Sequence, residues 1–291
     1  MSRPAYPEHL RTLVEGFLAG LHFGPQGPMD RLGEAMRYSL LAGGKRVRPV
    51  LTLAVVESLG RPLPPALPTA AALELIHTYS LIHDDLPAID DDDLRRGKPT
   101  CHVVYGEDVA ILAGDGLFAE AFSLVADRQN GPAELKVALL GELARATGVG
   151  GMVGGQYIDI TSSEAANVDL RQMHSLKTGK LIEAAVVCGA LLGGVRIDEL
   201  PPYRAFAAEL GVLFQIVDDI LDVVGSDEQL GKTAGKDHQA GKVTYVSRFG
   251  LERARVLADQ AVARAEASLA ELPGDTAGLR AVTAYLAGRE R

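Results

Sequence analysis

Apolar residues recur at spacings of three and four along most of the chain, in long segments rich in Ala, Leu, Glu and Arg, and sustained alternation of β-branched with polar residues is hard to find. Three-to-four spacing is how one face of an α-helix repeats, so the chain reads as nearly all helix. Gly and Pro cluster at 24–28, 60–68, 86–99, 130–132, 193–202, 226–241 and 273–278, and such clusters punctuate helices. None has the length or low complexity of a linker, and no repeat of constant period is visible. The pattern therefore predicts one domain, residues 1–291, of many helices joined by short loops.

Two of the predicted helices carry polar residues grouped on one face. Residues 69–85 read as a helix that Pro87 ends, with His77 and Asp84 seven apart and hence on the same side. Residues 203–224 read as another, on which Gln215, Asp218, Asp219 and Asp222 fall at spacings of three and four. Side chains so spaced have Cβ atoms about 5–6 Å apart. The opposite positions, Leu210, Leu213, Ile216, Val217, Ile220, Leu221 and Val224, supply packing.

The acidic residues carry the chemistry. Asp84 to Asp93 contains six aspartates in ten residues, and the group around Asp218 recurs far along the chain. Carboxylates this crowded repel one another and resist desolvation, so a fold keeps them near its interior where cations offset the charge. Hard oxygen ligands without His or Cys pairs favour magnesium, with manganese as a close substitute, and magnesium commonly bridges carboxylates to substrate phosphates. The competing reading, a solvated charged loop, fits the first run taken alone. It does not account for the second.

Cations accompany the carboxylates. Arg95-Arg96-Gly97-Lys98 follows the first cluster, and arginine offers bidentate donors to phosphate oxygens. Gly43-Gly44-Lys45-Arg46-Val47-Arg48-Pro49 precedes a helix predicted to begin at Pro49, so three cations sit at a helix start, a second anion site or a surface feature. In Lys177-Thr178-Gly179-Lys180, Met173, Lys177 and Leu181 share one stripe; Lys177 either reaches solvent or contacts phosphate, with Thr178 and Gln215 facing developing positive charge. The Gly/Lys-rich segment 230–245 lacks P-loop spacing and a preceding strand, and reads as a lysine-bearing lid or a surface loop. His102 and His174 read as structural.

Composition narrows the partners. With 291 residues, 47% hydrophobic content and a net charge of −9, the chain has ample core and no broad basic footprint for nucleic acid. Cys101 and Cys188 are too few for a disulfide framework and read as thiols. The first residues lack a secretory pattern. The longest apolar candidate, 181–195, is interrupted by Glu183 and three glycines, so no stable membrane insertion and a cytoplasmic location are expected.

Taken together, these motifs closely resemble the trans-isoprenyl diphosphate synthases, nearest the bacterial farnesyl diphosphate synthase (geranyltranstransferase) type, over nearly the full chain. The first aspartate motif stands as Asp84-Asp85-Leu86-Pro87-Ala88-Ile89-Asp90, the longer form; the second stands as Asp218-Asp219-Ile220-Leu221-Asp222, preceded by Phe214-Gln215. The resemblance implies an all-α, antiparallel helical bundle of the isoprenoid synthase type around a deep central cavity. It implies Asp84, Asp85, Asp90, Asp218 and Asp222 as magnesium ligands, and Arg95, Lys177, Lys232 and Lys242 on an allylic diphosphate. Gly44, Lys45, Arg48, His77 and Arg96 would hold isopentenyl diphosphate, and Lys177, Thr178 and Gln215 would attend the chemistry. Tyr79 and Ser80, five and four residues before Asp84, would set chain length. Tyr79 lies about 7.5 Å below Asp84 along a helix axis; with the longer first motif, the family pattern associates an aromatic there with a farnesyl product. A homodimer is implied as well. The alternatives are a geranylgeranyl diphosphate synthase, a terpene cyclase, and a non-catalytic helical relative.

Overall fold

The computed structural model describes residues 5–24, 27–161, 169–224 and 244–288. Among these, α1 (Glu8–Ala19), α2 (Asp30–Leu40), α3 (Val47–Ser58) and α4 (Leu67–Asp84) lead to a small antiparallel hairpin, β1 (Leu94–Arg95) with β2 (Lys98–Pro99). There follow α5 (Cys101–Tyr105), α6 (Glu107–Ser123), α7 (Ala133–Thr147), α8 (Met152–Thr161), α9 (Leu170–His174), α10 (Lys180–Leu192) and α11 (Pro201–Val224). The last three are α12 (Tyr245–Phe249), α13 (Leu251–Ala270) and α14 (Ala277–Ala287). Buried apolar side chains from Tyr6 to Leu286 form one contiguous core.

α4 and α10 are the central helices because their sequences are apolar on nearly every side. Residues Pro68 to Ile76 of α4 are all buried, as are Ala184 to Leu191 of α10. A helix without a polar face is stable only when enclosed. α4 packs mainly on α6 and α3, α10 on α3, α7 and α11, and α11 on α13.

The turn between α2 and α3 is fixed by one side chain. Arg46 takes a left-handed backbone conformation (φ 53°), so the chain reverses there and α3 starts at Val47, two residues before the expected Pro49. Its guanidinium donates to Glu15 Oε1 at 2.8 Å, Glu74 Oε1 at 2.7 Å and the Leu40 carbonyl at 2.7 Å. The side chains of Arg46 and Glu74 are 0% and 2% exposed. Arg46 is therefore a structural bolt between this turn and α4, which corrects its inclusion among the anion-binding cations.

Other expectations shift for local reasons. Lys177 lies in a π-helical turn, Ser175–Gly179, joining α9 to α10. The extra residue of that turn breaks the periodicity that would align Met173, Lys177 and Leu181; Met173 and Leu181 are buried while Lys177 faces a cavity. Val224, expected to pack, is exposed at the end of α11. The β-hairpin was not anticipated, and it is held by the reversal at Arg96 and Gly97, both at positive φ. The α6 segment Glu107–Arg128 is long and apolar enough to cross a membrane by length and composition, which corrects the expectation that no segment is. Its α4-facing side, including Ala110, Ala113 and Leu117, is buried in the fold.

His174 is structural, buried and stacked on Tyr245 at 5.7 Å. Burial holds its imidazole down to about 4, against the opposing pull of Asp159.

Two outcomes are expected. Arg46→Met leaves Glu74 buried without its cation and lowers stability by about 3–5 kcal/mol, read as a fall in the urea midpoint; Arg46→Met with Glu74→Leu recovers most of it. His174 is neutral in the folded state, whereas the unfolded side chain protonates near 6.5. Its contribution is thus complete above about pH 6.5 and lost as pH falls towards about 4, on the order of 3 kcal/mol in all. Urea midpoints across that interval should fall less steeply in His174→Phe than in the parent; equal slopes would refute the assignment.

Candidate active site

A cavity of about 1200 Å³ opens between α4, α8, the Ser175–Gly179 turn and α11, with the 42–48 turn and the β-hairpin at one end. It collects charges from five separated stretches of sequence.

At one end the groups are cationic. Lys45, Arg48 and Arg96 all line the cavity. Lys45 Nζ sits 5.6 Å from the Tyr6 ring and 5.4 Å from the Tyr285 ring, so two aromatic faces hold it. Arg48 lies over Phe214 at 5.9 Å, and its Nε is sealed from solvent without a hydrogen-bond partner. Burial, reinforced by Arg96, brings its guanidinium down to about 10, while Glu74 and Asp218 oppose the fall. It remains charged at neutral pH. Arg96 donates to the Gly43 carbonyl, and its guanidinium lies so close to Gly44 that a Cβ there would stand 2.8 Å from Cζ. Gly44, at φ +121°, is thus needed for both backbone and space. His77 faces the same cavity, and burial among four arginines keeps its imidazole far below its ordinary value, hence neutral. Lys45 also lies 3.5 Å from Glu8, and Glu74 lines the same end, but among the described residues Arg48 and Arg96 have no carboxylate at ion-pair distance, so an anion would stabilise them.

The opposite end is acidic. Asp84 at the end of α4 and Asp218 on α11 both line the cavity. Burial pushes the Asp84 carboxyl up to about 6; Lys177 pulls it down and Asp90 pushes it further up. Asp90 is brought beside Asp84 because its backbone N–H donates to the Asp84 carbonyl at 2.9 Å, closing the loop over Pro87. Asp85 is directed elsewhere. Arg95 Nε donates to both its oxygens at 2.7 and 2.9 Å, and Asp92 lies 3.5 Å from the same guanidinium. Asp85 therefore lies outside the cavity lining and holds Arg95, which does line it. Asp222 is buried, with Oδ1 lacking a hydrogen-bond partner.

Among the described residues no three His, Cys, Asp or Glu converge closely enough to hold a metal by themselves. The donors are nonetheless hard oxygens with charge that burial disfavours, and the unpaired Asp222 Oδ1 is the kind of atom a cation satisfies. They fit ions that complete their coordination with phosphate and water rather than with a protein cage.

Between the two ends lies a polar relay. Lys177 Nζ binds Asp159 Oδ2 of α8 at 2.6 Å. α8 reaches the π turn because Gly155 has no side chain; a Cβ there would lie 2.2 Å from Lys177 N. Thr178 Oγ1 donates to Gln215 Oε1 at 3.3 Å, Gln215 Nε2 donates to Asp219 Oδ1 at 2.7 Å, and the Tyr245 N–H donates to Asp219 Oδ2 at 2.7 Å. Asp219, a pure acceptor, thereby fixes the amide of Gln215 with its carbonyl towards Thr178.

Below Asp84 the cavity wall is aromatic. Tyr79 meets Phe118 edge-on at 5.0 Å and His83 at 5.6 Å, and Phe118 continues to Phe122 at 5.0 Å. Ser80 lines the wall beside it, its hydroxyl turned back to the His77 carbonyl at 2.9 Å.

The structure thus gathers Gly44, Lys45, Arg48, His77, Tyr79, Ser80, Asp84, Arg95, Arg96, Lys177, Thr178, Gln215 and Asp218 on one cavity. Asp85, Asp90 and Asp222 stand behind it. Lys232 and Lys242, with the lid expected around them, lie outside the described residues. Sequence reasoning missed Asp159, Gln156 and Phe118, and gave Asp219 no role of its own. Gln156 has both amide atoms sealed in the cavity wall with no partner. Its spacing of three from Asp159 was the available signal.

A family model described as polyprenyl synthetase matches residues 29–272, and the chain belongs to that family of prenyltransferases. It is 49% identical over 265 residues to a chloroplastic geranylgeranyl pyrophosphate synthase of Catharanthus roseus, covering 89% of this chain and 74% of the relative. Among solved structures it is similar to an FPP/GFPP synthase from Zymomonas mobilis, with TM-score 0.85, 36% identity and 96% of each chain covered. A Helicobacter pylori geranyltransferase complexed with magnesium and isoprenyl diphosphate matches with TM-score 0.85 and 33% identity, over 98% of this chain and 97% of that one.

Asp219→Asn tests the relay. Asparagine offers one acceptor and one N–H₂ where two N–H groups now converge, so the Gln215 amide reverses or the Tyr245 link breaks. Turnover should fall roughly 100-fold, the scale of one misdirected dipole, with KM values within about threefold; unchanged turnover in steady-state assays would remove Asp219 from this role.

Proposed function

We propose that this polyprenyl synthetase condenses isopentenyl diphosphate with dimethylallyl diphosphate and then geranyl diphosphate, releasing diphosphate and farnesyl diphosphate. The observation that carries the reading is the division of one cavity into a carboxylate end and a separate cationic end, which suits two diphosphates held by different chemistry. A terpene cyclase needs no second anion site.

Asp84, Asp90 and Asp218, with Asp222 and Asp85 nearby, would hold magnesium, or manganese in its place; the magnesium complex of the Helicobacter pylori relative supports this. The metal, when bound, supplies positive charge that stabilises the leaving diphosphate. Lys177 and Arg95 exchange part of their present ion pairing for phosphate oxygens, with Lys232 and Lys242 as further candidates. Gly44, Lys45, Arg48, His77 and Arg96 hold isopentenyl diphosphate, the neutral His77 through a hydrogen bond. As the allylic C–O bond breaks, the Thr178 and Gln215 oxygens face the cation without capturing it, and the apolar wall excludes water. The isopentenyl double bond then attacks, and the departed diphosphate takes the proton released.

Tyr79, backed by Phe118, supports a fifteen-carbon limit. A geranylgeranyl product is the second reading, favoured by the 49% identity to a geranylgeranyl pyrophosphate synthase. Exposed Ile111 and Leu112 on α6, beside Val103 and Val104 of α5, support a homodimer in which a second copy covers this face.

The test is incubation with magnesium, labelled isopentenyl diphosphate and either allylic starter, followed by chromatography of the dephosphorylated products. A dominant fifteen-carbon alcohol, abolished by chelator, is expected, and Tyr79→Ala should shift it to twenty carbons or longer. A twenty-carbon product from the parent moves the assignment to the second reading. An unchanged distribution in active Tyr79→Ala removes Tyr79 as the floor, and a folded protein without product sinks prenyl transfer.

A further inference from the structure

A second pocket, of about 360 Å³, lies on the far side of α11 and shares no lining residue with the cavity described above. Its size falls in the range of small-ligand pockets, about 300–1,000 Å³. Val212 and Ile216 of α11 line it, whereas Gln215 and Asp218 line the cavity, so one helix forms the wall between the two.

The pocket has an apolar interior and a cationic rim. Val212, Ile216, Leu257 and the buried Tyr245 ring supply the interior, and the exposed Phe249 ring, 6.2 Å from Tyr245, stands at its edge. Arg171, Arg248 and Arg264 stand at the rim. Arg264 is paired with Glu209 at 2.7 Å, and Arg248 lies over the Phe249 ring at 5.7 Å. Among the described residues neither Arg171 nor Arg248 has a carboxylate partner. Asp169, the acid on the rim among the described residues, caps α9, accepting from Arg171 N at 3.0 Å and Gln172 N at 3.3 Å. Guanidinium groups above an apolar floor match an anion with an apolar tail, and the arginine fork matches phosphate bidentately.

The pocket also touches the relay. Tyr245 lines it, and the Tyr245 N–H is the group that holds Asp219, which orients Gln215. We propose that this pocket is a second binding site, for a phosphate or diphosphate ester of an apolar alcohol, and that its occupancy alters turnover through Tyr245, Asp219 and Gln215. The effect on turnover rests on the prenyl-transfer reading; the binding does not.

Two readouts separate these. The chain has no tryptophan, so Phe249→Trp places a single fluorescent reporter in the pocket. Titration with decyl phosphate in chelator should give a saturable change, abolished when Arg171→Ala and Arg248→Ala are added. In kinetics, the enzyme's own product should inhibit with a component that excess allylic substrate does not overcome. Arg171→Ala/Arg248→Ala should weaken that component at least fivefold while leaving kcat and KM within twofold. If decyl phosphate reproduces the inhibition, the site takes lipid phosphates generally; if only the product does, it is a product site. No fluorescence change, or inhibition that is purely competitive or unaltered in the double variant, overturns the proposal. Saturable fluorescence in a protein without turnover keeps the pocket and sinks the catalytic reading instead.

Discussion

The buried pair Arg46–Glu74 ties together everything the cavity needs. Glu74 sits midway along α4, the helix that one turn later presents His77, then Tyr79 and Ser80, and at its end Asp84. Arg46 belongs to the turn that carries Gly44, Lys45 and Arg48. Joining them at 2.7 Å sets the distance between the cationic and acidic ends of one site. A buried pair is weak evidence for net stability, because desolvation offsets much of the attraction. What it supplies here is placement, with each remaining donor of Arg46 satisfied by Glu15 and the Leu40 carbonyl.

Outside that pair, the fold leaves charge uncompensated where substrate would come. Arg48 keeps a sealed Nε without a partner, Asp222 an unpaired oxygen, and Asp84 a carboxyl raised by burial. Each is unfavourable in isolation, and all lie at or behind the same cavity. Away from the cavity the same residue types are neutralised, as Arg204 is by Glu142 and Glu183, while within it Arg95 pairs with Asp85 and Lys177 with Asp159. For Lys177 and Arg95 the pairing is poised rather than final, since both also line the cavity.

The proposed chain-length wall and the polar relay are built from different helices around one cavity. The wall proposed to limit chain length is a contact between α4 and α6, where Tyr79 rests on Phe118 and Phe118 on Phe122. A growing apolar chain would meet a rigid edge-to-face stack rather than one ring free to rotate. The relay instead runs from Thr178 through α11 to α12, where Tyr245 both closes it and enters the second pocket.

The sequence by itself determined the all-helical class, both acidic clusters and most of the cavity residues, because helical periodicity and charge clustering are local properties written in adjacent positions. Asp84 with His77, and Gln215 with Asp218, needed only the three-to-four spacing of a helix. The tertiary structure alone decided which charges remain available. Arg46 and Arg48 are two residues apart, equally basic and both on the cavity, yet among the described residues one is consumed by Glu15 and Glu74 while the other has no ion-pair partner. Asp84 and Asp85 are adjacent, yet one lines the site and the other clasps Arg95. The Tyr245 N–H that holds Asp219 and the Asp159 carboxylate that holds Lys177 come from segments 26 and 18 residues away. A local pattern carries no record of which distant partner a side chain will meet.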